Sequence, residues 1–171
     1  DQQRHYEAYG PWEVFRQSRH NNGKPLKKYR ALLQHIIENM SLVPINVIEY
    51  GAGIAPGSYF PAKNQLNIRN ALLVDLASDH LYFGTWRLRS LLKKKFIEQK
   101  MPFQEVRAME ADGDTLPDIE QSKMKFNVAI VLTVFEHVPN PLELSHKILK
   151  SLSRPAIAMI DFCSETHLGK I

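Results

Sequence analysis

The chain has 171 residues, 44% of them hydrophobic and 23% charged, and a formal net charge of +4. That length suits one domain around one core, and the longest apolar run, about eight residues from Val128 to Phe135, is far too short to span a membrane as a helix. A single cysteine, Cys163, excludes an internal disulfide, and the amino end lacks an apolar signal region, so a reduced, cytoplasmic setting is expected.

In chain order, a first helical candidate falls near Glu7 to Gln17, and a looser stretch from Asn21 to Pro25 separates it from a helix over about Lys27 to Asn39. Tyr29, Leu32, Leu33, Ile36, Ile37 and Met40 mark one face of that helix, and Pro44 ends the connection to the first strand. Residues 1–43 thus read as a helical cap on a core formed by residues 44–171. In the core, β-branched runs read as buried parallel strands at Ile45 to Glu49, Ala71 to Asp75, Gln104 to Met109, Phe126 to Leu132 and Ala156 to Asp161. Helical periodicity fills Leu81 to Gln99 and Pro141 to Ser151, where Leu142, Leu144, Ile148, Leu149 and Leu152 recur at three- and four-residue intervals. Such alternation specifies an α/β domain with right-handed crossovers and helices on both faces of a parallel sheet.

Basic residues cluster twice. Arg16, Arg19, Lys24, Lys27, Lys28 and Arg30 occur without an acid between Val14 and Ile37, and Arg87, Arg89, Lys93, Lys94 and Lys95 follow a helical pattern. Each run is either a solvated face or an attractor of phosphates or an anionic substrate. Neither run interleaves the stacking aromatics that single-stranded nucleic acids require.

The sharpest motif runs from Val47 through Glu49, Gly51, Ala52, Gly53, Ala55 and Pro56 to Gly57: a buried strand ends in a carboxylate and turns at once through small residues. A loop without β-carbons lets backbone amides approach a ligand closely. By itself it is ambiguous, because Gly51, Gly53 and Gly57 also fit a dinucleotide fingerprint that receives pyrophosphate. Three further segments come in order: Leu73-Val74-Asp75-Leu76 at the end of the second strand, Glu110 to Pro117 after the third, and Leu132 to Pro141 after the fourth.

With these four motifs, residues 45 to 161 resemble a class I S-adenosylmethionine-dependent methyltransferase. The resemblance implies a Rossmann-like sheet in the order 3-2-1-4-5 and S-adenosyl-L-methionine as cofactor. Glu49 matches the acid that faces the methionine ammonium, and Gly51, Ala52 and Gly53 match the loop that packs on the cofactor. Asp75, with Leu76 after it, matches the acid that bonds the ribose hydroxyls, and Asp112 with Gly113 matches the pair that recognises adenine. Leu132, Thr133 and Phe135 match the stretch beside the methionine moiety. Glu136 and His137 match a Glu-His pair of small-molecule members, with His137 as a base or simply as a partner for a nearby carbonyl. Tyr6, Tyr9 and Trp12 would form a lid over the cofactor or part of a core. No metal is implied.

The chain departs from the family pattern at several points. Ala55 replaces the third glycine of the loop, and Pro56 and Pro61 make the following helix late, short or irregular. Asn127 stands for an aspartate at the start of strand four, and Ser153-Arg154-Pro155-Ala156 stands for a Pro-Gly-Gly turn. The family's final hairpin lacks a counterpart, leaving the apolar fifth strand to be covered by a continuation of the chain, a second copy or a partner. The chain also opens on Asp1, as a processed or excised chain would. Methyl transfer to a small molecule is the first functional expectation. The others are a degenerate scaffold module and a nicotinamide-dependent oxidoreductase. RNA or protein acceptors are suggested by the basic segment 16–30.

Overall fold

The computed structural model describes residues 31–32, 34–35, 38–39, 44–64, 66–111, 119–132, 134–135 and 138–160, without the side chains of Glu120 and Gln121. Its strands are β1 (Ile45–Tyr50), β2 (Ile68–Leu76), β3 (Glu105–Ala111), β4 (Phe126–Val131) and β5 (Leu152–Ile160). The helices are α1 (Pro56–Lys63), α2 (Asp79–Gln99) and α3 (Pro141–Ser151), with a 3-10 turn at Ile119–Ser122. All pairings are parallel and the order is β3-β2-β1-β4-β5, as expected.

Strict alternation in the central strands produces two cores. Val47, Ala71, Leu73, Val128 and Ile130 face α1 and α2, joining Ala62, Leu81, Leu88 and Leu92. Their neighbours Ile48, Leu72, Val74, Ala129 and Val131 face the other way, toward Leu144, Ile148 and Ile119. A one-residue slip of any central strand would exchange these sets. Glu49 shares the α1 side, level with Leu73 on β2 and Ile130 on β4.

Several boundaries and faces differ from the expected ones. Ser78 starts α2 two residues early, because its hydroxyl accepts the Leu81 amide and caps the helix. In α3, Leu142 and Leu149 are 66% and 54% exposed, while Leu144, Ile148 and Ser151 are buried. At about 100° per residue, positions 144, 148 and 151 share a stripe and positions 142 and 149 lie opposite it. β5 begins at Leu152, four residues early, directly from α3. Its register shifts so that Leu152 pairs with Phe126 and Ile157 with Val128, leaving Ser153 to Ala156 as a bulge that accommodates Pro155. Asn127 has a use that aspartate could not serve: its Oδ1 accepts the Asn46 amide at 2.8 Å while its Nδ2 donates to the Pro44 carbonyl at 3.0 Å. The turn into β1 is clamped by both halves of one amide.

Of the expected 27–39 helix, Ala31, Leu32, Gln34, His35, Glu38 and Asn39 are helical, and Leu32 is 52% exposed. The earlier helical candidate, the basic segment 16–30, Tyr6, Tyr9, Trp12 and Cys163 lie outside the described residues. No helix among the described residues is long and apolar enough to cross a membrane.

Candidate functional site

At the carboxyl edge of β1 and β2 the chain makes three left-handed steps, with φ of 66° at Gly51, 46° at Gly53 and 55° at Ala55. Glycine reaches this region freely, and an L side chain pays about 1–2 kcal/mol there. Ala55 therefore holds a left-handed conformation that glycine adopts more freely, and Pro56 starts α1 at once, where its missing amide hydrogen does no harm. The resulting helix is short, eight residues with Pro61 inside it, as expected.

Glu49 lies beneath this loop, 3% exposed, and both carboxylate oxygens are held by the first turn of α1: Gly57 N donates to one at 2.8 Å and Ser58 N to the other at 2.7 Å. Burial raises its carboxyl to about 7, against the lowering effect of the hydrogen bonds from Ser58 and Gly57 and of the Arg87 charge. A β-carbon on Gly57 would sit 2.8 Å from Glu49 Oε1 and from Ile130 Cγ2, so only glycine lets the helix approach the acid this closely.

These bonds decide what α1 can receive. A dinucleotide site delivers pyrophosphate to free amides at the helix start. Here the amides of Gly57 and Ser58 already serve Glu49, and a buried acid stands where the diphosphate charge would approach. Across the loop, Asp75 Oδ2 accepts Gly53 N at 2.5 Å and Oδ1 accepts Leu76 N at 2.7 Å. Burial raises this acid as well, opposed by those two amides and by His80. Each of its oxygens has a second lone pair for a hydroxyl donor. An edge carrying two carboxylates suits a cationic, hydroxyl-bearing ligand.

The segment after β4 closes one side of the site. Val134 and Phe135 are buried and Leu132 is half-buried, and a β-carbon on Gly51 would lie 2.1 Å from Val134 Cγ2. On the opposite side α2 touches the loop backbone at Gly84, whose added β-carbon would be 2.6 Å from the Gly53 carbonyl oxygen.

No sequence-family model matches the chain, and no curated protein matches it by sequence. Solved structures match its fold. An S-adenosylmethionine-dependent methyltransferase from Clostridium acetobutylicum superposes with a TM-score of 0.56 at 15% identity, over 84% of this chain and 53% of that one. The plantazolicin methyltransferase BpumL, in complex with a monoazolic desmethylPZN analog and SAH, gives 0.55 at 14% identity over 81% and 48%. A small RNA methyltransferase gives 0.54 at 14% identity over 74% and 15%. The chain has the class I S-adenosylmethionine-dependent methyltransferase fold. It spans about half the length of the first of these proteins, and less of the others.

Within this methyltransferase fold, one edge brings together Glu49, Gly51, Ala52, Gly53, Asp75 and Leu76, with Leu132 and Phe135 in the segment that packs on Gly51 through Val134. Asp112, Gly113, Thr133, Glu136 and His137 lie outside the described residues. Sequence reasoning missed Gly84 and Val134. A lone glycine inside the helical run Leu81 to Gln99 was the available signal for Gly84, since such a residue marks close packing. The second basic run is largely tied inward. Arg87 lies over the Tyr59 ring at 4.2 Å, Arg89 Nη2 donates to the Val106 carbonyl at 2.6 Å, and the buried Lys95 ammonium donates to the Ala62 carbonyl. Lys94 pairs with Glu98 on the surface.

Proposed function

We propose that the chain binds S-adenosyl-L-methionine at the carboxyl edge of β1 and β2 and transfers its methyl group to a small-molecule acceptor. The observation that carries this reading is the Glu49 carboxylate occupying both first-turn amides of α1, which closes the helix to a diphosphate and leaves acids for a cationic cofactor. In this reading Asp75 accepts the ribose hydroxyls with its remaining lone pairs, Glu49 supplies negative potential toward the methionine ammonium, and Gly51 to Gly53 pack on the cofactor. Leu76 flanks the ribose, Leu132, Thr133 and Phe135 border the methionine end, and Asp112 with Gly113 reads the adenine.

When bound, the sulfonium supplies an activated methyl carbon whose bond to sulfur breaks as the bond to the acceptor forms, leaving a neutral thioether. The protein's part is then mainly orientation, worth up to about 7–11 kcal/mol when donor and acceptor are held in line. An acceptor that must lose a proton needs a base, for which His137, assisted by Glu136, is the nearest candidate. Residues 1–43 form the cap that selects the acceptor over the 44–171 core.

A small molecule is favoured over RNA because Phe135 to Val138 matches the pattern of small-molecule members, and because Arg87, Arg89 and Lys95 are spent on internal contacts. The structural neighbours include proteins described as acting on small RNA and as bound to plantazolicin analogues, so the fold by itself serves both. Incubation with methyl-labelled cofactor and a cell extract, with separation into small molecules, RNA and protein, tests the assignment. Label is expected in the small-molecule fraction. Label confined to RNA or protein would overturn the acceptor class.

A further inference from the structure

Tyr82, Trp86, Phe96 and Ile97 of α2 are 50–69% exposed, four of the seven large apolar side chains that the described residues leave open to solvent. At about 100° per residue they share one stripe with Ser90, Lys93 and the end residues Asp79 and Lys100, all exposed and turned away from the buried row of Leu81, Leu88 and Leu92. From Tyr82 to Ile97 the stripe runs about 22 Å at 1.5 Å per residue. The four apolar side chains together expose about 400–500 Å² per copy, taking 150–250 Å² for a whole one. A dimer interface of roughly 800 Å² per partner that is somewhat over half apolar needs the same.

Charge divides the stripe into two halves. Asp79 and Glu110 flank the amino half, where the Tyr82 hydroxyl donates to Glu110 Oε1 at 2.5 Å. Lys93 and Lys100 flank the carboxyl half, beside Phe96 and Ile97. Lys94 is paired with Glu98 and Arg89 donates to the Val106 carbonyl, so their charges are partly engaged within the chain. A uniformly anionic surface would be attracted to one half and repelled by the other. A second copy laid antiparallel satisfies both. Under a two-fold axis near positions 89 and 90, Asp79 comes level with Lys100, Tyr82 with Ile97, and Trp86 with Lys93, which sets a cation against an aromatic ring. Ser90 is small where the two helices must approach to about 8–10 Å.

We propose that the outer face of α2 is a homodimer interface, in which two copies pack antiparallel about a two-fold axis beside Ser90 and Trp86 of each copy packs on Lys93 of the partner subunit. The inference rests on helix geometry and charge and not on the cofactor, whose loop meets α2 on another side, at Gly84. The interface is also separate from β5, since α2 packs on β2 and β3 at the other end of the sheet.

The test uses the 171-residue chain carrying Ile157→Lys, which blunts the β5 edge, and reads its mass by sedimentation equilibrium. A dimer is expected, with a dissociation constant that rises roughly tenfold or more in Trp86→Glu; Ile97→Glu carries the same expectation should that variant fail to fold. Asp79→Lys and Lys100→Asp should each weaken the dimer, and an equal mixture of the two should restore it, because every 79–100 pair is then opposite in charge. With Cys163→Ser added, Ser90→Cys should form a covalent dimer on air oxidation and Gln99→Cys should not, since a disulfide needs α-carbons within about 7 Å and position 99 lies far from the axis. A dimer that both glutamate variants leave intact, no recovery in the mixture, or equal cross-linking at positions 90 and 99 overturns the proposal. So does a monomer at every concentration; if that monomer sediments with phosphatidylserine vesicles and Trp86→Glu releases it, the face belongs to a lipid surface instead.

Discussion

Glu49 is buried with a carboxyl raised to about 7 from an ordinary 4.5, and that difference fixes the sign of a pH dependence. The folded chain holds the proton more tightly than the unfolded one, so the stability this group contributes is present at low pH and lost as pH rises through about 7. Glu49→Gln has no such proton to lose. The unfolding free energy of the parent minus that of Glu49→Gln, from urea titrations, is expected to fall by about 3 kcal/mol between pH 4.5 and pH 8; a flat difference would contradict the burial argument. Asp75 makes the complementary prediction for binding. Asp75→Ala should weaken S-adenosylhomocysteine affinity by about 2–4 kcal/mol in calorimetry, through two lost bonds to a charged acceptor at roughly 1.5–3 kcal/mol each, partly replaced by water. Unchanged affinity would remove the ribose role. The two acids were legible because a carboxylate ending a buried strand is rare. That both would be held by backbone amides was not, since the partners depend on where α1 starts and how Ala55 turns.

At the scale of elements, α2 and the loop after β1 depend on each other through Gly84. Gly84→Ala would put a methyl group 2.6 Å from the Gly53 carbonyl oxygen and 2.8 Å from the Ile54 carbonyl carbon, both backbone atoms that cannot swing aside. Overpacking of this kind costs about 1–3 kcal/mol, and the displaced loop should lose cofactor affinity even where the chain still folds. Calorimetry with S-adenosylhomocysteine at a temperature well below the variant's unfolding midpoint separates the two effects; full affinity would show that the loop is not seated on α2. Gly51→Val should abolish binding, because Val134 fills the space beside that α-carbon and the backbone is left-handed there. Strand periodicity was readable because it reflects burial on two faces, which composition encodes directly. Helix faces were less so: Leu142 and Leu149 fit a three-and-four spacing with their neighbours yet face outward, because α3 buries a narrower stripe than its apolar residues could fill. The bulge at Ser153 to Ala156 was unreadable for another reason. A register shift is a relation between two strands, and one strand's sequence does not carry it.

At the scale of the whole molecule, β5 ends the sheet, and among the described residues no strand pairs with its outer edge. Ala156 to Ile160 is apolar, with no charge to discourage pairing by another chain. Ile157→Lys is therefore expected to reduce self-association of the 171-residue chain in light scattering. A monomeric parent with amides 156–160 protected from hydrogen exchange would show that the edge is covered within the chain. The sheet order was legible from the sequence of motifs, whereas the covering of its last strand was not, because edges are closed by whatever packs beside them. The claim on which the functional account stands is that the edge built by Glu49, Gly51 to Gly53 and Asp75 accepts a cationic, ribose-bearing cofactor and excludes a diphosphate. Calorimetric titration of the parent chain with S-adenosylhomocysteine, alongside a nicotinamide dinucleotide, measures both halves at once. The account predicts micromolar binding of S-adenosylhomocysteine and none of the dinucleotide; no binding of S-adenosylhomocysteine, or saturable binding of the dinucleotide in its place, would contradict it.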